Sequence, residues 1–169
     1  MKFKDIIWVL FISLLPIVEL RGAIPVGAAL GIPFYFNYAA AVMGNLLPVP
    51  FILLFIPKIL DFLARVKIFR PVVSWVRQKA HKYSARILHR EGGEENRKPR
   101  RFGGAFWGLL LFVMIPIPGT GAWTGSLIAS LFRLPKRSSF LAISLGVLGA
   151  GVIMCLASYG AVGFLKVFL

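Results

Sequence analysis

The chain has 169 residues, 58% of them hydrophobic, and carries 20 Lys and Arg against 6 Asp and Glu, for a net charge of +14. A mean hydropathy of +0.80 exceeds what a water-soluble core requires, which excludes an ordinary soluble globule and points to an integral membrane protein. In a soluble chain such charge would suggest nucleic acid, but thirteen of the twenty cations fall between Lys58 and Arg101 beside apolar stretches, the positive-inside pattern of a cytoplasmic loop in contact with membrane lipid.

Lys2 and Lys4 precede a short apolar run, as in a cleavable signal peptide. Glu19 and Arg21 stand where small cleavage-site residues belong, and the chain stays hydrophobic beyond them, so that reading fails. Ile6 to Val18 supplies about 20 Å of helix, short of the ~30 Å hydrocarbon layer. Where a spanning helix should continue, the chain offers Glu19, Arg21, Gly22 and Pro25. A charge at mid-bilayer costs roughly 2.5–3.5 kcal/mol on insertion scales, so Glu19 and Arg21 must face protein or water. Residues 6–30 are therefore predicted to form a broken helix or a re-entrant hairpin, since irregular backbone at that depth survives only when buried or lining a cavity. Residues two apart share a face in extended backbone but not in a helix, so unwinding over 19–21 would bring both charges to one cavity.

Gly31, Pro33 and Asn37 predict a surface turn, and residues 34–56 a spanning helix opened by Phe34, Tyr35, Phe36 and Tyr38. Gly44, Asn45, Pro48 and Pro50 predict a kink and close helix approach, with Asn45 either bonding between helices or touching substrate. Residues 58–102 read as a basic cytoplasmic linker, with an amphipathic helix over 71–90 and a flexible stretch over 91–101. His81 and His89 lie in this solvated basic run, and no metal or cofactor is expected. Cys155 is alone, so no internal disulfide forms.

The second membrane unit is predicted over 103–169. Residues 104–132 again form a short, broken pair of apolar segments, interrupted at Pro116-Ile-Pro-Gly-Thr-Gly-Ala-Trp-Thr-Gly125. Residues 138–168 form a span tilted or kinked around Gly146, Gly149 and Gly151. Pro118, Gly119 and Gly121 let the second break turn sharply, Thr120 and Thr124 offer hydroxyls, and a helix restarting near Trp123 presents free N–H groups suited to an anion. Trp123 fits either a cavity wall or an interfacial anchor. Arg133 and Arg137 can assist an anionic headgroup or simply anchor the turn.

Sliding the chain by 100 residues places Pro16 on Pro116, and by 102 places Pro33 on Pro135, Ala40 on Ala142 and Gly44 on Gly146. The order of parts also repeats: short segment, break, short segment, turn, span. If each short pair is a hairpin, residues 1–57 and 103–169 are two inverted repeats of an all-α membrane protein. The charge balance is the same for two hairpins as for four simple crossings, so the choice rests on segment length and on the family resemblance carried by the motifs below.

Glu19-Leu-Arg-Gly-Ala-Ile-Pro25 and the stretch 116–125 resemble the two signature motifs of the small multidrug export protein family, in the right order around a basic middle. That family is distantly similar to the DedA, or VTT-domain, superfamily. The resemblance implies two opposed re-entrant hairpins with inverted symmetry in the inner (plasma) membrane. It also implies translocation of lipids such as undecaprenyl phosphate, or of other amphiphiles, coupled to ion gradients. Carried over, Glu19 is the acid of the first hairpin and Arg133 or Arg137 the basic group after the second. The second hairpin lacks an acid, a departure from any two-carboxylate scheme.

The expectation is a secondary transporter for an amphiphilic or anionic small molecule or lipid, with Glu19 coupling to protons or sodium. A DedA-like flippase or scramblase is the alternative, and a non-transporting scaffold held by a fixed Glu19–Arg21 pair is the third reading. A chain this short with few crossings can require a second copy. An enzyme is not expected, because no His, Asp or second Glu accompanies the serines at depth.

Overall fold

The computed structural model describes residues 3–63, 65, 103–117 and 119–168. Pro118, the amphipathic stretch with His81 and His89, and nearly all of the basic linker lie outside the described residues. Those described form seven helices and no strand: α1 (Phe3–Leu14), α2 (Glu19–Ala29), α3 (Phe34–Leu46), α4 (Pro48–Leu63), α5 (Gly104–Met114), α6 (Ala122–Leu131) and α7 (Lys136–Phe168).

Helices α1, α2, α5 and α6 have 10–12 residues each, about 15–18 Å and so roughly half a ~30 Å hydrocarbon layer. Two stretches, Phe34–Phe62 through α3 and α4 and Lys136–Phe164 of α7, are long and apolar enough to cross a membrane. The polarity is that of a lipid-solvated protein. Trp8, Phe11, Phe51, Phe55, Leu141 and Leu145 are exposed, whereas Ser13, Asn37, Asn45, Ser126, Ser130 and Ser139 are buried among Val9, Ile24, Val113 and Ile143.

Proline sets the first boundary. Pro16 disfavours helical geometry in Leu15 and has no N–H to offer, so α1 stops at Leu14. The predicted unwinding over Glu19–Pro25 is corrected: the break is confined to residues 15–18, and Glu19, Arg21, Gly22 and Pro25 all lie in α2. The predicted interruption near Asn45 narrows to Leu47 alone, with Pro48 at the first position of α4, where its missing N–H costs nothing. Helix α4 then overruns the expected end at residue 56 and reaches Leu63.

Gly146, Gly149 and Gly151 do not interrupt α7, which is continuous. They admit close neighbours instead. A Cβ on Gly146 would stand 2.8 Å from the Leu110 carbonyl, one on Gly149 2.8 Å from Met114, and one on Gly151 2.7 Å from the Tyr38 ring. Asn37, expected at a surface turn, is fully buried. Its Nδ2 donates to the Ile24 carbonyl at 2.8 Å and to the Tyr159 hydroxyl at 3.0 Å, and Tyr159 in turn donates to the Ile32 carbonyl.

Packing recurs at the offsets seen in the sequence. Helices α1 and α3 run antiparallel, with Gly44 against the Leu10 carbonyl and the Ser13 hydroxyl bonded to the Ala41 carbonyl. Gly146 meets the Leu110 carbonyl in the same way where α5 packs on α7. Helix α2 ends on left-handed Gly31 (φ +72°), with Gly31 N–H to Ala28 O at 3.1 Å and Ile32 N–H to Gly27 O at 3.0 Å. Helix α6 ends on left-handed Arg133 (φ +51°), with Arg133 N–H to Ser130 O at 3.2 Å and Leu134 N–H to Ala129 O at 3.0 Å. These are two copies of one capping motif, 102 residues apart. The register grows from 100 to 102 because the second break, residues 115–121, is longer than the first.

Candidate functional site

The two breaks meet, and each completes the helix ends of the other. Helix α6 begins after Gly121, whose lack of a side chain leaves the helix without a cap of its own. The cap comes from across the fold: a Glu19 carboxylate oxygen accepts the backbone N–H of Trp123 at 3.2 Å. Trp123 is the second residue of α6, the position a capping oxygen normally serves, and the positive end of the helix favours an anion there. Glu19 reaches it from a left-handed conformation, φ +50°, that a residue with a side chain adopts at a cost of roughly 1–2 kcal/mol. Gly121 is required by this arrangement, since a Cβ there would fall inside the Glu19 carboxylate.

Arg21 does the corresponding work at the end of α5. Its Nη2 lies 3.3 Å from the Val113 carbonyl, 3.0 Å from Ile115 O, 3.1 Å from Thr120 O and 3.0 Å from Thr120 Oγ1. It thus collects carbonyls that the broken helix leaves without intrahelical donors. Thr120 Oγ1 also lies 2.9 Å from the carbonyls of Ile115 and Ile117, which fixes the loop around the guanidinium. Arg21 Nη1 stands 3.8 Å from Glu19 Oε2, and the two side chains are 13% and 6% exposed, so the pair is shielded from solvent screening. The first helix is closed in return by the start of α6, where Trp123 Nε1 donates to the Leu14 carbonyl at 3.1 Å.

These contacts follow the same register. Arg21 and Trp123 are 102 residues apart, and each caps the last turn of the short helix in the other half. Glu19 and Gly121 are also 102 apart and touch each other. Gly119 turns the second break at φ +87°, Thr124 donates to the Gly121 carbonyl at 3.1 Å, and Pro25 deprives the Arg21 carbonyl of its helical donor. Gly22 sits where a Cβ would collide with Val18.

The remaining sequence candidates lie elsewhere. Asn45 is buried in α3 with an unpartnered Oδ1 and takes no part in the hydrogen bonds of the breaks. Arg133 closes the far end of α6, about 15 Å along the helix from Ala122, and pairs with Asp61 at 3.0 Å. Arg137 is exposed in the first turn of α7. Sequence reasoning missed the Asn37–Tyr159 pair and Asp61; their only signal was polarity within an apolar stretch. Among the described residues, no three His, Cys, Asp or Glu side chains converge on a metal-binding position.

The assembled centre is a buried carboxylate held by one backbone N–H and one guanidinium, at the junction of four half-length helices. The family model described as putative small multi-drug export protein matches residues 19–153, a stretch that begins at Glu19 and contains both breaks. No curated protein and no solved structure matches the chain.

Proposed function

The chain belongs to the small multi-drug export protein family, and from that premise we propose that it is a secondary transporter for an amphiphilic or anionic substrate, coupled to a proton or sodium gradient through Glu19. It is a multi-pass protein of the plasma (inner) membrane, with the basic segment 58–102 on the cytoplasmic side. The two halves act as inverted repeats whose short helices dip to mid-membrane, and the substrate passes where their tips meet. One observation carries this reading: the tips cap each other reciprocally around a buried acid, Glu19, at helix termini oriented to accept charge. Discontinuous helices meeting at a repeat interface are where secondary transporters bind substrates and coupling ions.

In this scheme Glu19 alternates between capping α6 and taking a proton or sodium ion. Arg21 keeps the first break attached to α5 throughout, and Thr120, Gly121, Trp123 and Thr124 offer donors to the substrate when the cap is released. Proteoliposomes with an imposed proton or sodium gradient test the proposal. Gradient-dependent accumulation of an amphiphilic anion is expected. Transbilayer movement of a labelled phosphate-bearing lipid, with no dependence on either gradient, would replace it with a flippase, and no movement under any condition would leave the pair a structural clasp.

A further inference from the structure

Two corners of the molecule are built alike and finished differently. One lies at the end of α2, between the start of α3 and the distal part of α7. The other lies at the end of α6, between the start of α7 and α4. Each turns on the same left-handed position, Gly31 in the first and Arg133 in the second, and each has a proline two residues on, Pro33 and Pro135. The third wall differs. The 102-residue register places Tyr159 in the first corner where Pro57 stands in the second, and Cys155 where Leu53 stands.

In the first corner Tyr159 fills the space. Its hydroxyl bonds to Asn37 and to the Ile32 carbonyl, its ring stands edge-on to Phe34 at 6.2 Å, and Cys155 below it is buried. In the second, Pro57 is too short to do so, and a cavity of about 260 Å³ remains. Leu53, Pro57 and Leu134 form its apolar wall, and Asp61, Arg133 and Lys136 its charged rim.

We infer that the second corner binds the anionic headgroup of an amphiphile, phosphate or carboxylate on an apolar tail, and that the Tyr159-filled corner is its closed counterpart. The cavity supplies the chemistry. Arg133 already holds a carboxylate, Asp61 Oδ1 at 3.0 Å, with the pair 60% and 53% exposed, so an incoming anion can take the place of Asp61 on the guanidinium fork. Lys136 adds a second cation, and the apolar wall receives the first methylenes of the tail. The volume falls below the ~300–1,000 Å³ of a site that encloses a drug-sized ligand, so the headgroup enters and the tail stays in lipid. The transporter reading above gives this site its use, delivery toward the breaks, but binding itself requires no transport.

Dodecyl phosphate titrated by calorimetry into the full chain in a neutral detergent tests the site, with inorganic phosphate and dodecyl maltoside as comparison ligands. Dodecyl phosphate is expected to bind at least tenfold more tightly than either. Arg133→Gln with Lys136→Gln should weaken it tenfold or more, Pro57→Tyr should abolish it by filling the corner, and Asp61→Asn should strengthen it severalfold by removing the competing carboxylate. Unchanged affinity in the double variant, or weaker binding in Asp61→Asn, overturns the site even if Pro57→Tyr fails to fold. Equal affinity for inorganic phosphate overturns the amphiphile assignment. The sole cysteine reports on the other corner: a polar maleimide should label Cys155 at least tenfold faster in Tyr159→Ala than in the unaltered chain. Equal rates overturn the closed counterpart. Failure of these arms leaves gradient-driven flux through the breaks untouched, and loss of that flux with intact dodecyl phosphate binding separates the two claims in the other direction.

Discussion

Gly121→Ala is the smallest change that should dismantle the contact between the breaks. The backbone at Gly121 is extended (φ −93°, ψ −163°), a conformation alanine adopts freely, so conformational strain contributes little. The obstacle is the Glu19 carboxylate, which occupies the place of the new methyl group. The carboxylate must leave, and with it goes a charge-assisted hydrogen bond worth ~1.5–3 kcal/mol and a helix-terminus interaction of ~0.3–1 kcal/mol. A loss of about 2–4 kcal/mol corresponds to a fall of roughly 4–16 °C in the unfolding midpoint, at ~2–4 °C per kcal/mol for a chain of this length. In a Glu19→Ala background the methyl group enters vacated space, so Gly121→Ala should then cost less than ~1 kcal/mol, a coupling of roughly 1–4 kcal/mol that overlaps the ~0.5–3 kcal/mol found for contacting residues. The assay is thermal unfolding of the four proteins in one neutral detergent. If Gly121→Ala melts within about 1 °C of the parent, or costs as much without Glu19 as with it, the carboxylate does not sit where this account places it.

Other substitutions probe the rest of the arrangement. Arg21→Gln leaves Glu19 without its cation and strips donors from the α5 carbonyls, so it should destabilise by ~3–5 kcal/mol, with a smaller loss when Glu19→Gln is added; the unfolding midpoints of the two proteins decide. Trp123→Phe removes only the Nε1–H bond to Leu14 and should cost ~1 kcal/mol by the same measurement. Gly44→Ala and Gly146→Ala each drive a methyl group against a facing carbonyl oxygen, more closely at Gly44 than at Gly146, and should each cost ~1–3 kcal/mol, the first more than the second. Arg133→Gly relieves the left-handed strain, ~1–2 kcal/mol, against the ~0–1 kcal/mol of an exposed ion pair, so it should leave stability unchanged or raise it.

That each half is interrupted was legible because proline and glycine act locally, although the first break lies at residues 15–18, ahead of the Glu19–Pro25 stretch where the sequence placed it. Pro16 and Pro116 stop their helices wherever the chain folds, and the 100- and 102-residue registers survive as packing contacts between Leu10 and Gly44 and between Leu110 and Gly146. What the breaks do to each other was not legible. A cap supplied by Glu19 to a helix 103 residues later has no local signature, and the left-handed turn at Glu19, not an unwound segment, is what aims the side chain. Asn37 was misread because polarity changes meaning in lipid: a polar residue after a turn marks the surface in water, but in a membrane protein it is drawn inside to bond with Ile24 and Tyr159. Glycine weakens a helix by itself, yet α7 runs unbroken past Gly146, Gly149 and Gly151, each with a neighbour packed against it.

The central claim is that Glu19 couples transport and does not merely clasp two helix ends. Comparing gradient-driven net uptake with equilibrium exchange of the same substrate, in proteoliposomes containing Glu19→Gln, tests it most directly. A glutamine, neutral like the protonated acid, carries no ionisable group, so net uptake should be lost while exchange continues. Retention of net uptake at the unaltered rate, or loss of both activities in the same proportion, would contradict the account.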